Sequence, residues 1–320
     1  MKQRHRNLKK PKKNMSQKLT ELTERIRSMD NIQSIAETMA TVAAAKLART
    51  RNKALGLKSY SQRLRRIALD QSVYVKSFGP RLEEISPLMR EKEGAGQTLL
   101  IVIAADQGMC GNYNGRVCRL AHSLVEEEQK QAQEVLLVTK GLKAQEYFQK
   151  KTGLPIAIQL SWRSEGVSLK DADELITLIL EYYKKREVGS VQVVYTAFYS
   201  PVRREPEAMR ILPIKLELET SDQATEQEWF YEPEVFPIIE ELVPTYLRVQ
   251  VYDLLLESYA SEQAARMMAM EDAADRAEKV LAELHTQYNK VRRELVTIDL
   301  FGILSAAQVL KKETAVKMGF

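Results

Sequence analysis

Glycine and proline are scarce in this chain: 13 and 10 among 320 residues. Both interrupt regular structure, so their scarcity predicts long unbroken elements rather than a loop-rich fold. The two cysteines, Cys110 and Cys118, are too few for a disulfide framework, and three histidines make a Cys/His zinc site improbable. The thiols read as small buried groups of a reduced protein. No run approaches the roughly 20 consecutive apolar residues of a membrane helix. The longest, Leu99–Ala105, has the length of a strand, so any membrane role is expected to pass through a partner. The dinucleotide fingerprint GxGxxG and the phosphate loop GxxxxGK(S/T) are both missing, and no cofactor or metal is expected.

What is present is charge and helix-forming residues. Charged residues make up 28% of the chain and the net charge is +5. The basic excess gathers at the start, where Lys2, Arg4, Arg6, Lys9, Lys10, Lys12 and Lys13 stand with no acid among residues 1–14. Such a run can serve nucleic acid or anionic lipid. The reading adopted is a solvated, disordered arm over residues 1–15, with no nucleic-acid partner. It holds no apolar residues at helical spacing, so it is not an amphipathic presequence.

Between Pro11 and Gly56 there is neither Pro nor Gly, and Leu19, Leu22, Ile26, Met29, Ile32, Ile35 and Met39 recur at steps of three and four. This is a narrow helical stripe close to the seam of a coiled coil. Thr245 to Phe301 mirrors it, with Ala273, Ala277, Val280, Leu284, Tyr288, Val291, Leu295 and Ile298 in line. A helix of that span is roughly 85 Å long and cannot leave its stripe in water. Pairing with the other terminal helix as an antiparallel coiled coil is the economical arrangement; dimerisation through parallel coils is the alternative.

The middle alternates strands and helices. Thr98–Ala105, Glu134–Thr139, Pro155–Trp162 and Val191–Tyr199 read as strands, and Gly115–Gln131, Leu142–Lys151 and Leu169–Arg186 as helices. That alternation predicts a parallel, Rossmann-like sheet with helices on its faces. Ile211–Leu218, after Pro201 and Pro206, reads as an added edge strand. The organisation expected is thus an arm (1–15), an N-terminal coiled-coil helix (16–78), an α/β domain (97–218), a connecting loop (219–244), a C-terminal coiled-coil helix (245–310) and a tail (311–320).

Candidate chemistry is sparse. Asp106–Asn112 follows the first strand at its carboxyl end, where α/β folds place ligand loops. Within it Cys110 has only His122 as a nearby base in sequence, and a glycine-requiring tight turn is the better reading. Asp171, Asp173 and Glu174 open a helix, where carboxylates favour the macrodipole. Nothing assembles into an active site. Two rivals remain open: an α/β enzyme dimerising through helical arms, and a coiled-coil scaffold or nucleic-acid adaptor using the basic arm.

The long helices carry the specific motifs. Asn31-Ile32-Gln33, Met39 and Val42–Lys46 resemble the N-terminal signature of the γ subunits of F-type ATP synthases. Ala260–Met270 is similar to their C-terminal signature nearly letter for letter, and Tyr288–Arg292 continues it at the family's spacing. Asp106–Gly111 and Tyr231-Glu232-Pro233 match as well, so the resemblance spans residues 16 to about 310. It implies a central rotor stalk with no catalytic site, which couples ion flow to ATP synthesis or hydrolysis carried out in beta subunits. It implies partners in the alpha and beta subunits, the epsilon subunit and the membrane c-ring, at the cytoplasmic face of a bacterial inner membrane. Met39 matches a position near the acidic lever of a beta subunit, and Lys46 with nearby Arg49 and Arg51 fits a basic face that could meet that lever. Glu262, Arg266, Arg292, Thr297 and Asp299 match shaft contacts with beta, and Tyr231 and Glu232 a contact with the c-ring. Arg293, Ile298 and Phe301 depart from the family's usual polar residues, and the arm and tail exceed its pattern.

Overall fold

The computed structural model describes residues 2–77, 88–89, 97–130, 134–162, 166–185, 188–214 and 235–317. In chain order the elements are α1 (Lys2–Ser77), β1 (Gln97–Ile103), α2 (Tyr113–Lys130), β2 (Glu134–Lys140) and α3 (Leu142–Tyr147), which runs into a π-helical turn (Phe148–Thr152). There follow β3 (Ile158–Leu160), α4 (Leu169–Lys184), β4 (Ser190–Phe198), β5 (Arg204–Leu212) and α5 (Val235–Lys317). They form two compact units, one of residues 1–40 with 270–320 and one of residues 41–269.

Three boundaries differ from the expected ones. α1 begins at Lys2, so the basic arm is helical backbone rather than a disordered start. A helix already nucleated by its packed portion extends residue by residue, and lysine and arginine are good helix formers; Pro11, inside α1, opposes this by removing one backbone bond. α5 begins at Val235, ahead of the expected Thr245, with Pro244 inside it. Pro237 falls in the first turn, where a missing N–H leaves no bond unmade. α5 also runs on to Lys317, through most of the expected tail.

In the first unit each helix presents one seam. Along α1 the covered positions are Leu19, Leu22, Ile26, Met29, Gln33, Ala36 and Ala40; along α5 they are Ala274, Ala277, Leu281, Leu284, Tyr288, Val291, Leu295 and Ile298. Both series alternate steps of three and four, the heptad rule of a coiled coil. The pairing lies within one chain. Ile32 and Ile35, expected in the stripe, are 49% and 59% exposed. A strict heptad from Met29 reaches Gln33 and Ala36 instead, and the small Ala36 and Ala40 allow close approach. Seam spacing thus wins over side-chain hydrophobicity at those two positions. On α5, Leu281 takes the place expected for Val280, which is turned outward.

In the second unit the sheet order is β3-β2-β1-β4-β5, parallel except for β5, which pairs antiparallel with β4. β1 is covered on both faces, which explains its unbroken apolar run. Leu99, Ile101 and Ile103 face a core shared with α4 and α5, through Leu175, Ile179, Leu247, Val251 and Leu255. Leu100 and Val102 face α2 and the α3 region, through Val117, Ala121, Val125 and Phe148. The edge strand is Arg204–Leu212, not Ile211–Leu218. Arg204, Glu205, Glu207 and Arg210 interrupt its apolar residues, and only Ile211 and Leu212 are buried, so hydrophobic pattern did not reveal it. Pro206 is tolerated because β5 is an edge. Within this unit Leu47 of α1 packs with Ala260 and Ala264 of α5. Farther along α1, Ala54 and Leu57 join the core that holds Val251 and Leu254. Rising numbers in α1 meet falling numbers in α5, as antiparallel pairing requires.

Candidate functional site

In open α/β sheets the crevice beyond the carboxyl ends of parallel strands is the usual ligand site. Here part of α5, Ser258–Ala269, closes onto the loop that leaves β1. Arg266 donates to the carbonyls of Gln107 and Gly108 at 3.5 and 3.3 Å. The same guanidinium pairs with Glu262 at 2.6 Å, and Gln263 donates to that carboxylate at 3.0 Å. The Tyr113 hydroxyl lies 2.8 Å from the Ser258 hydroxyl. The loop itself is braced: the Asn114 side chain accepts from the Ala105 amide at 2.9 Å, and Asp106 from the Leu142 amide at 2.9 Å. Gly111 has φ 56°, and a Cβ there would lie 3.9 Å from Ala269. Gly141, at φ 106°, leaves no choice of residue, since a Cβ would come within 2.2 Å of the Ala104 carbonyl.

At the ends of β2 and β3 lies a second polar group that the sequence reading did not assemble. The fully buried Lys140 ammonium donates to the Ser161 carbonyl at 3.0 Å and to Asp171 and Glu174 at 3.2 Å each. It lies 5.1 Å from the centre of the Trp162 ring. Of the three carboxylates expected to serve the start of α4, Asp171 does so, in a reciprocal capping box with Ser168, whereas Glu174 pairs with Lys140 and Asp173 with Arg248. Burial alone would raise the Asp171 pKa, but the bonds from Ser168 and the nearby Lys140 outweigh it and hold the carboxyl below its usual range. The clue in the sequence was a lysine closing an apolar strand, a position where a charge needs a partner.

The electrostatics oppose nucleophilic chemistry in the loop. Burial pushes the Cys110 thiol up and Cys118 up to about 12. Burial likewise raises Glu262, against the pull of Arg266. Among the described residues there is no cluster of three His, Cys, Asp or Glu able to hold a metal, and no helix is long and apolar enough to cross a membrane.

The described residues singled out by motif fall into three groups by exposure. Glu262 and Arg266 are buried, held by each other and by the β1 loop. Met39, Lys46 and Asp299 are half-buried; Arg49, Arg292 and Thr297 are exposed. Tyr231 and Glu232 lie outside the described residues. Sequence reasoning missed the outward apolar series on the first unit. Ile32 and Ile35 on α1 and Val280, Val296, Leu300, Phe301, Ile303, Leu304 and Leu310 on α5 are all exposed. From Leu300 to Leu304 four of these apolar side chains occur with none buried, a helix end that water does not favour.

The sequence model of the ATP synthase family matches residues 18–310. The ATP synthase gamma chain of Chlorobium luteolum is 32% identical over 301 residues, covering 92% of this chain and 99% of its own length. That of Symbiobacterium thermophilum is 32% identical over 302 residues, covering 93% and 100%. Two solved structures share the fold. One is the central stalk and c-ring assembly of the Tetrahymena thermophila mitochondrial ATP synthase, with a TM-score of 0.55 at 21% identity over 75% of this chain and 99% of that one. The other is the rotor of the Euglena gracilis mitochondrial ATP synthase, with a TM-score of 0.54 at 16% identity over 88% and 99%. A family match along most of the sequence, with gamma chains aligned over nearly their whole length, establishes that this chain belongs to the gamma chains of the ATP synthase family.

Proposed function

We infer that this chain is the central rotor stalk of an F-type ATP synthase, turning inside a ring of alternating alpha and beta subunits. The observation that carries the reading is the build of the first unit. Two heptad seams close on each other within one chain, while the outward face keeps exposed Ile32, Ile35, Val296, Leu300 and Phe301. A shaft sealed to itself and apolar outside suits a part that turns in a fitted sleeve. The filled carboxyl edge of the sheet fits a chain without its own catalysis, the chemistry being left to the beta subunits.

Contact roles follow exposure. Arg292, Thr297 and Arg49 face outward, and Met39, Lys46 and Asp299 are partly open; these would meet beta subunits directly. Glu262 and Arg266 would act from within, by fixing the Gln107–Gly108 loop that does the touching. Met109, 64% exposed at the tip of that loop, is the side chain so presented. Tyr231 and Glu232 are assigned to the c-ring by motif alone. The stalk sits at the membrane through that ring and the epsilon subunit, on the cytoplasmic face of a bacterial inner membrane. The test is reconstitution with alpha and beta subunits. ATP-driven rotation of a probe fixed to the sheet domain is expected, and an assembled ring that hydrolyses ATP without turning the probe would refute the reading.

A further inference from the structure

Buried hydroxyl groups ordinarily find a hydrogen-bond partner, and Tyr195 of β4 departs from this. It is 3% exposed, and among the described residues no hydrogen bond engages its hydroxyl. Tyr195 lines a cavity of about 570 Å³ that opens where α1, the β4–β5 pair and α5 meet, inside the unit of residues 41–269. That volume lies within the range of small-molecule sites.

Tyr246, Gln250, Asp253 and Glu257 of α5 also line the cavity. They follow one another at steps of four, three and four, which puts them on one face of the helix, so two carboxylates reach the same opening. Glu207 of β5 stands opposite Tyr195 in the strand register. Burial raises the Tyr195 pKa, and the charges of Glu257, Glu207 and Asp253 raise it further. The hydroxyl therefore stays protonated within a negative field. Asp253 and Glu257 have other partners in the chain, yet a carboxylate offers about four acceptor positions, so a further donor can join.

Phe198, Tyr199 and Tyr246 add aromatic rings to the lining, and two of these rings already attract guanidinium groups. Arg51 lies 5.9 Å from the Phe198 ring centre, and Arg203 lies 4.8 Å from that of Tyr199. Rings beside carboxylates are the chemistry that holds an organic cation: the carboxylates take its charge and its donors, and the rings cover its body. An anion would instead meet Asp253 and Glu257 with one described cation in the lining, the exposed Arg51, to oppose them.

We propose that this cavity binds a small organic cation, its ammonium group held by the Tyr195 hydroxyl, Asp253 and Glu257 and its apolar body laid against the rings. Binding here is a property of the folded unit and holds whether or not the chain turns. The test uses the full-length chain with phenethylamine as the probe and phenethyl alcohol as its neutral counterpart of nearly equal shape. Calorimetry and ligand-observed NMR follow the titrations. Saturable one-to-one binding of the amine is expected, with a Kd of about 1 mM or tighter. The alcohol should bind at least about ten-fold more weakly, since it lacks the charge. Tyr195→Phe keeps the ring and removes the hydroxyl, and should weaken the amine by about three- to ten-fold. Asp253→Asn/Glu257→Gln should abolish the preference for amine over alcohol. Should Tyr195→Phe not fold, the double variant, at two partly exposed positions, decides. Equal affinity of the wild-type chain for amine and alcohol would mean a merely apolar groove and overturn the site. An amine preference that survives the double variant, or the lack of any saturable binding, would overturn it as well.

Discussion

Glu262 and Arg266 lie one helical turn apart on α5, bonded at 2.6 Å, with side chains 8% and 9% exposed. Removing one partner of such a pair leaves a charge stranded in the interior. Arg266→Ala is expected to cost about 3–5 kcal/mol in chemical denaturation, and Glu262→Ala/Arg266→Ala markedly less than the sum of its parts. The pH dependence has a definite sign. Burial raises the folded-state pKa of Glu262, and Arg266 opposes the rise. Without Arg266 the rise is larger, so the unfolded chain releases its proton at lower pH than the folded one. The penalty should be fully present at neutral pH and shrink as pH falls toward the ordinary value of 4.5. A loss that grows on acidification would contradict this account. At Cys118, with its pKa at about 12, only ~0.01% is thiolate at pH 8. Alkylation of the native protein should be slow there and become fast in denaturant, as mass spectrometry would read. Motif matching named Glu262 and Arg266 because residue type is visible in a sequence. Which way a helical side chain points is set by the partner surface, and that partner, the β1 loop, lies far away along the chain.

At the scale of elements, the heptad seam sorts apolar residues that composition cannot distinguish. Val291 is 6% exposed and Ile35 is 59% exposed. Val291→Asp puts a charge into the seam and should lower the stability of the helical pair by several kcal/mol, visible as a lost or broadened thermal transition in circular dichroism. Ile35→Ser should leave that transition nearly unmoved, within about 0.5 kcal/mol. It should nonetheless weaken assembly with the ring roughly ten-fold, if the side chain is buried only against partners. Equal effects of the two substitutions on the isolated chain would undo the seam as drawn. The long helices were legible because nothing breaks them, and β1 because burial on both faces wrote an apolar run. β5 was not, since an edge strand with one partner carries Arg204, Glu205 and Glu207 as readily as a loop does. The capping box of α4 was legible locally. Its link to Lys140, 31 residues away in sequence, was not, because only the β2–β3–α4 crossover brings them together.

For the molecule as a whole, stability and function are distributed unevenly. Residues 41–269 hold two stacked cores on a five-stranded sheet, with Leu99, Ile101, Val102 and Val194 fully enclosed. The end of α5 has no such cover: Leu300, Phe301, Ile303, Leu304 and Leu310 are 56–67% exposed. Among the described side chains from 300 to 308 none is buried, and helix without such cover is marginal in water. Local opening there should cost almost nothing, while opening at β1 and β4 should approach the global unfolding free energy. Hydrogen exchange on the isolated chain is therefore expected to be fast over residues 300–310 and slowest over 99–103 and 191–197. Assembly with the alpha and beta subunits should protect residues 300–310 by at least about ten-fold, because apolar side chains taken from water into a sleeve make opening costly. The sheet strands, already protected from within, should change little on assembly. Protection of 300–310 in the isolated chain would mean that the tip is stabilised by its own chain, and the outward apolar face would lose its standing as the surface that meets the ring.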